Sequence, residues 1–219
     1  ARHMAFVLKS AGSPATVPAL LKLLSGGTVQ GGDMADALDA IAAFGRPEDL
    51  QSLLQLAVTV ERDEAAHQYL HALVEAHRRR KAQPTGPFDT LIPRADRSAP
   101  AVSATAARLI GLWKWDGGRE WLSALANGPE RLLEARLAAV EGLADFGGEP
   151  AAAQLTRLAE SDAAPEIRQR ALSGLLNLKP QEAAKRTAAF LATVTDPSVA
   201  VPVLEAFTTR PNAAEALAY

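Results

Sequence analysis

The chain contains no cysteine in its 219 residues. That absence removes disulfides, thiolate nucleophiles, cysteine-ligated zinc, iron–sulfur clusters and covalently attached c-type haem. It leaves the redox compartment open, because a chain without thiols survives anywhere. Aromatic residues are scarce at 5%. An excess of either charge is also missing: 23 Lys and Arg stand against 25 Asp and Glu, for a net charge of −2 and a pI near 6.1. A dedicated nucleic-acid binder usually carries a basic patch and a high pI, so no nucleic-acid partner is expected. No apolar run reaches the roughly 18 residues that span a bilayer, so membrane insertion is not expected, and no signal-peptide pattern is read.

Catalytic signatures are missing as well. Residues 25–33 hold two glycine pairs, Gly26-Gly27 and Gly31-Gly32, but not the lysine that a phosphate-binding loop needs. Neither a Gly-x-Ser-x-Gly elbow nor a Gly-x-Gly-x-x-Gly fingerprint occurs. No cofactor is expected, and the chain reads as a non-enzyme.

What is present is apolar periodicity. Hydrophobic residues make up 48% of the chain, and they recur at helical rather than strand spacing. Aligned helix ends give a column of Phe44, Ala76, Trp113, Phe146 and Leu178, at steps of 32, 37, 33 and 32 residues. Three positions earlier stand Ile41, Leu73, Ile110, Leu143 and Leu175. Four earlier stand Ala40, Ala72, Leu109, Gly142 and Gly174. Seven earlier stand Ala37, Tyr69, Ala106, Ala139 and Ala171. Offsets of three, four and seven trace one helical stripe, with small residues where helices can approach closely. The frame extends back to Met4, Val7, Leu8 and Ala11, and forward to Val203, Ala206 and Phe207.

A shorter apolar helix precedes each inner one, near 14–24, 47–58, 87–92, 119–126, 150–159 and 181–193, with the third of these weak. Ser13-Pro14, Asp196-Pro197 and Gly128-Pro129 suit helix starts, and Gly45 and Gly147 suit helix ends. The repeating unit is therefore a helical hairpin of about 32 residues. One hairpin cannot bury its apolar face alone, whereas stacked neighbours can. The pattern predicts a single all-α solenoid over residues 1–219, with six or seven repeats.

Two runs carry a resemblance. Residues 135–143 (Ala-Arg-Leu-Ala-Ala-Val-Glu-Gly-Leu) and 167–175 (Ile-Arg-Gln-Arg-Ala-Leu-Ser-Gly-Leu) resemble the second helix of HEAT repeats. Where those units have Arg136 and Arg168, other units have Ser103 and Met34. The resemblance implies a right-handed, armadillo-like superhelix whose second helices line a concave face. Positions one, five and eight before the column residue would form that face, including Asp36, Asp39, His71, Glu75, Arg108, Glu141, Asp145 and Arg170. Gln68, Thr105, Ser173, Asn177 and Glu205 complete it. Six of these residues are acidic and two basic, which favours a mixed or basic protein segment as partner. A narrower likeness rests on residues 107–114 (Ala-Arg-Leu-Ile-Gly-Leu-Trp-Lys) after an Arg-rich helix end. It is similar to the helical-repeat segment of large bacterial proteins that join a sugar-dehydrogenase-like propeller to a c-type cytochrome. That likeness implies a connector with an extracytoplasmic home.

Three clusters are candidate sites. His67 and His71 share a helix face and could ligate a metal with Glu64 or Glu75, although the His-Glu-x-x-His motif is missing. Trp113, Trp115, Asp116 and Trp121 gather all three tryptophans. Helical-repeat DNA glycosylases use an aromatic and an aspartate on such a scaffold, but they also need a basic groove. Arg78, Arg79, Arg80 and Lys81 end the longest helix, where the macrodipole favours cations. The longest repeat step follows them, so residues 77–87 are a candidate docking element. The frame at both ends lacks a polar capping repeat. This predicts an internal segment of a longer chain, whose neighbours or protein partners cover the ends.

Overall fold

The computed structural model describes residues 13–27, 29, 31–161, 164–194 and 196–208. Among them twelve α-helices follow one another and no strand occurs. They are α1 (Val17–Ser25), α2 (Gly32–Phe44), α3 (Pro47–Thr59), α4 (Asp63–Arg80), α5 (Leu91–Asp96) and α6 (Pro100–Trp113). Then come α7 (Arg119–Asn127), α8 (Leu133–Phe146), α9 (Gly148–Glu160), α10 (Pro165–Leu178), α11 (Pro180–Leu191) and α12 (Pro197–Thr208). The fold is the all-α helical repeat that the periodicity implies. The expected inner helix through Met4 and Ala11, and the chain beyond residue 208, lie outside the described residues.

The chain divides into two compact units, Ala1–Leu109 and Ile110–Tyr219. In the first, α1 packs on α2 and α3, while α4 packs on both α2 and α3. In the second, α8 packs on α7, α9 and α10, and α10 also meets α9, α11 and α12. An inner helix thus touches its own outer helix and the next inner helix. That is how a hairpin with too little core of its own buries its apolar stripe.

The residues three, four and seven before the column are buried in all five aligned helices, from Ala37, Ala40 and Ile41 to Ala171, Gly174 and Leu175. The column itself is less uniform. Ala76 and Trp113 are buried, but Phe44, Phe146 and Leu178 are only half-buried. Those three are the last residues of α2, α8 and α10, as the buried Trp113 is of α6, so position at a helix end does not by itself set the depth. Phe146 lies under the Arg119 guanidinium, 5.7 Å from its ring centre. Trp115 is half-buried over the turn at Gly117 and Gly118.

Small residues in the stripe set the spacing. A Cβ added at Gly111 would come within 2.5 Å of the Gly142 Cα and nearer still to its carbonyl oxygen. α6 and α8 therefore meet backbone to backbone. At Gly174 of α10, an added Cβ would stand 2.9 Å from the Ala144 Cβ of α8.

Prolines and short polar side chains start helices as expected. Pro47 opens α3, and the Asp49 carboxylate accepts the Arg46 N–H at 2.9 Å. Pro197 opens α12, and Asp196 accepts the Ser198 N–H at 2.8 Å. Gly147, with φ of +74°, closes α8 in a conformation that favours glycine. Gly128-Pro129 does the reverse of what its composition suggests. The Gly128 N–H donates to Ala124 O at 2.9 Å and closes the last turn of α7, while α8 begins only at Leu133.

Outer helices end on orphan carbonyls that need donors. The position ten before the column supplies them. Arg136 Nε donates to Ala126 O at 3.2 Å and Arg168 Nε to Ala159 O at 3.1 Å. Ser103 fills the same role with a shorter reach, donating to Ala95 O of α5 at 2.7 Å. The α3 end uses Arg94, which is 4% exposed and donates to Val60 O at 3.1 Å and Ala57 O at 3.4 Å. Arg94 also meets Asp63 at 2.9 Å. The Ala99 N–H donates to Asp63 at 2.6 Å and, ahead of Arg94, holds its carboxyl below the usual aspartate range. This network ties α3, α4, α5 and α6 at one corner.

Candidate interaction groove

The first unit carries a groove of about 590 Å³ between α2 and α4. Its α2 wall is Ala35, Leu38, Asp39 and Ala42, spaced at i, i+3, i+4 and i+7. Its α4 wall repeats that geometry with Gln68, His71, Ala72, Glu75 and Arg79, and His67 stands beside them. Two helices packed along neighbouring stripes leave such a channel wherever the facing side chains are small. The buried Leu38, Ala42 and Ala72 line its floor, and the exposed Ala35 and polar tips line its rim.

An ion-pair chain spans the rim. Arg79 donates to Asp39 at 2.7 Å and approaches Glu75 at 3.4 Å. The Asp39 hydrogen bond leads the effects that hold Arg79 above its ordinary pKa. Arg78 lies 3.7 Å from Glu75 and is largely exposed. Exposed pairs of this kind each contribute only about 0–1 kcal/mol, so they orient the rim more than they stabilise the fold. Arg80 points elsewhere. It donates to Ala42 O at 2.9 Å and to Gly45 O, at the end of α2. Desolvation there lowers its pKa. Three consecutive arginines thus leave the helix at steps of about 100° and meet solvent, the groove rim and a helix end in turn.

The expected surface residues separate into groups. Asp39, Gln68, His71 and Glu75 come together in the groove, joined by Arg79. Asp36 and Arg108 lie outside its lining. Thr105 is buried at 2% exposure and bonds to His67, which corrects its placement on an open face. In the second unit, Glu141 of α8 and Arg170 of α10 form an ion pair between successive inner helices. Asp145, Asn177 and Glu205 are exposed. Within residues 77–87, the Gly86 N–H donates to Gln51 of α3 at 2.9 Å.

His67 and His71 have ring centres 6.2 Å apart. Among the described residues no three His, Asp or Glu side chains gather as a metal site. Of the tryptophan cluster, Trp113 is buried at 6% exposure, while Trp115 and Trp121 are half-buried and Asp116 is exposed and paired with Arg119 at 3.3 Å. Sequence reasoning missed Arg94. Its one signal was an arginine beside Pro93 in a short apolar helix, which reads as a surface residue.

Residues 88–176 match the family model of HEAT repeats. That stretch contains Ser103, Arg136 and Arg168, the three donors ten positions before the column. The chain is an all-α helical repeat, HEAT-like over residues 88–176. HEAT repeats generally act as protein-interaction scaffolds and are typically non-catalytic. None of the curated proteins matches the chain, and nothing supports the narrower likeness to propeller–cytochrome proteins. No described helix is long and apolar enough to cross a membrane.

Proposed function

We propose that this chain is a non-catalytic scaffold that binds a polypeptide segment, with the α2–α4 groove as one contact surface. The observation that carries the reading is the lining itself: an apolar floor flanked by Asp39 and Glu75, with Arg79 tethered between them. A side chain with an apolar stem and a cationic head fits that arrangement, because lysine and arginine bury their stems and keep their heads polar. Asp39 and Glu75 are balanced by Arg79 and Arg78, so a basic peptide side chain would take an arginine's place on a carboxylate, an exchange that a phosphate backbone cannot make.

Panning a phage-displayed random peptide library tests this. The wild-type chain is expected to enrich peptides that place Lys or Arg beside an apolar residue. The double variant Asp39→Lys, Glu75→Lys is expected to lose that enrichment while keeping its helical circular dichroism. Equal enrichment on both proteins would sink the groove assignment. Salt-sensitive binding of duplex DNA at near-physiological ionic strength would overturn the partner class.

A further inference from the structure

We propose that His67 and His71 form a two-nitrogen clip for a late first-row divalent transition metal such as Zn²⁺, open to solvent and to the groove. The inference does not depend on the groove's polypeptide ligand.

Hydrogen-bond accounting at His67 is the starting point. The Thr105 hydroxyl carries one proton and donates it to Ala101 O at 2.9 Å. With that proton on Ala101 O, the Thr105 oxygen accepts from His67 Nδ1 in their 3.0 Å contact, and this is the tautomer we assign. Nδ1 is then the protonated nitrogen, and Nε2 carries the lone pair. Fixing one ring nitrogen as a donor orients the other as a metal ligand. Thr105 is buried at 2% exposure, so the anchor is rigid.

The spacing agrees. Residues four apart stand one above the other on a helix, with Cβ atoms about 5–6 Å apart. Metal–nitrogen bonds of about 2.0–2.1 Å place each imidazole centre roughly 3 Å from the ion, so two rings on one ion lie roughly 5–6 Å apart. The observed separation is 6.2 Å with a 56° tilt. His71 is exposed and can complete the approach by a rotamer adjustment, while His67 is held. Both rings line a groove with room for water. Asp39 and Glu75 are balanced by Arg79 and Arg78, so the two imidazoles carry the binding. Imidazole nitrogens suit zinc, copper and nickel, whereas magnesium and calcium require oxygen ligands.

Isothermal titration with ZnCl₂ tests the clip on the full chain. A His3→Ala background removes a competing histidine near the amino terminus. One zinc ion per chain is expected, with no heat from MgCl₂. His71→Ala, a change at an exposed position, should weaken binding at least about ten-fold. Thr105→Val should weaken it about ten-fold by releasing the His67 ring, with helical circular dichroism retained. In imidazole ¹⁵N spectra, Zn²⁺ should shift His67 Nε2 and leave Nδ1 protonated. Coincident isotherms for the wild type and His71→Ala, or zinc shifting His67 Nδ1, would overturn the proposal.

Discussion

Gly111→Ala gives the sharpest test of how these helices are stacked. The new Cβ would fall within 2.5 Å of the Gly142 Cα, and real Cβ atoms essentially never approach closer than 3.0 Å. The obstacle is backbone, so no rotamer change relieves it, and α6 and α8 must separate by roughly 0.5–1 Å. A gap of that size forfeits about a quarter to a half of each dispersion contact across the seam. Ile110, Ala139 and Leu143 in this stripe are all fully buried. A large side chain makes about 40–60 contacts of about 0.1–0.2 kcal/mol, so losing a quarter costs about 1–3 kcal/mol for each that faces the seam. Replacing a helical glycine by alanine returns about 1 kcal/mol. The net expectation is a loss of about 1–3 kcal/mol, within the usual overpacking range. Urea unfolding followed by circular dichroism measures it as a lower midpoint at unchanged slope. Gly32→Ala is the control, because nothing lies within 4 Å of its added Cβ. It should leave the midpoint unchanged or raise it. A Gly111→Ala midpoint at or above that of the wild type would refute the backbone contact.

Ser103→Ala should destabilise by about 0.5–1.5 kcal/mol, because Ala95 O loses its 2.7 Å hydroxyl donor and keeps the Ser98 N–H at 3.3 Å; an unchanged urea midpoint would count against that role. Thr187 is fully buried on α11 and its hydroxyl has no hydrogen-bond partner. Thr187→Val should therefore be neutral or stabilising by up to about 1–2 kcal/mol in thermal unfolding. Asp63 is held below its ordinary pKa of 3.8, so its stabilisation is fully present above that value and fades as pH falls through the lower folded-state pKa. The stability gap between the wild type and Asp63→Asn should accordingly be constant near neutrality and shrink below about pH 4. Trp113→Ala should cost about 3–5 kcal/mol and Trp115→Ala less, since the first ring is 6% exposed and the second half-buried.

The buried stripe was fully legible, because a helix face that packs on both neighbours must be apolar at offsets of three, four and seven. The helix ends were less so: Phe44, Phe146 and Leu178 share the column position of Trp113 but not its depth, since periodicity gives the face of a helix and not what lies beyond its last turn. Half of the groove could be read from sequence. Asp39, His71 and Glu75 fall on a polar stripe, but the floor residues Leu38 and Ala42 look like core and are buried in it. Thr105 and Arg94 could not be placed from composition. A small polar residue and a cation both read as surface until the partner that satisfies them, His67 or the end of α3, is known.

The exchange of arginine for serine ten positions before the column has a consequence for anyone recombining these units. Ser103 has a single methylene and can reach only a carbonyl that already lies against it, whereas Arg136 and Arg168 span a wider gap. A template averaged over the repeats would put arginine at position 103. There it would drive a guanidinium into a site only 5% exposed, beside the ion-paired corner that Arg94 already occupies. Hairpins cut from this chain are therefore not modular parts: each joint is keyed to the length of its own donor, and a shuffled array should fail at the α5–α6 joint before it fails at any other.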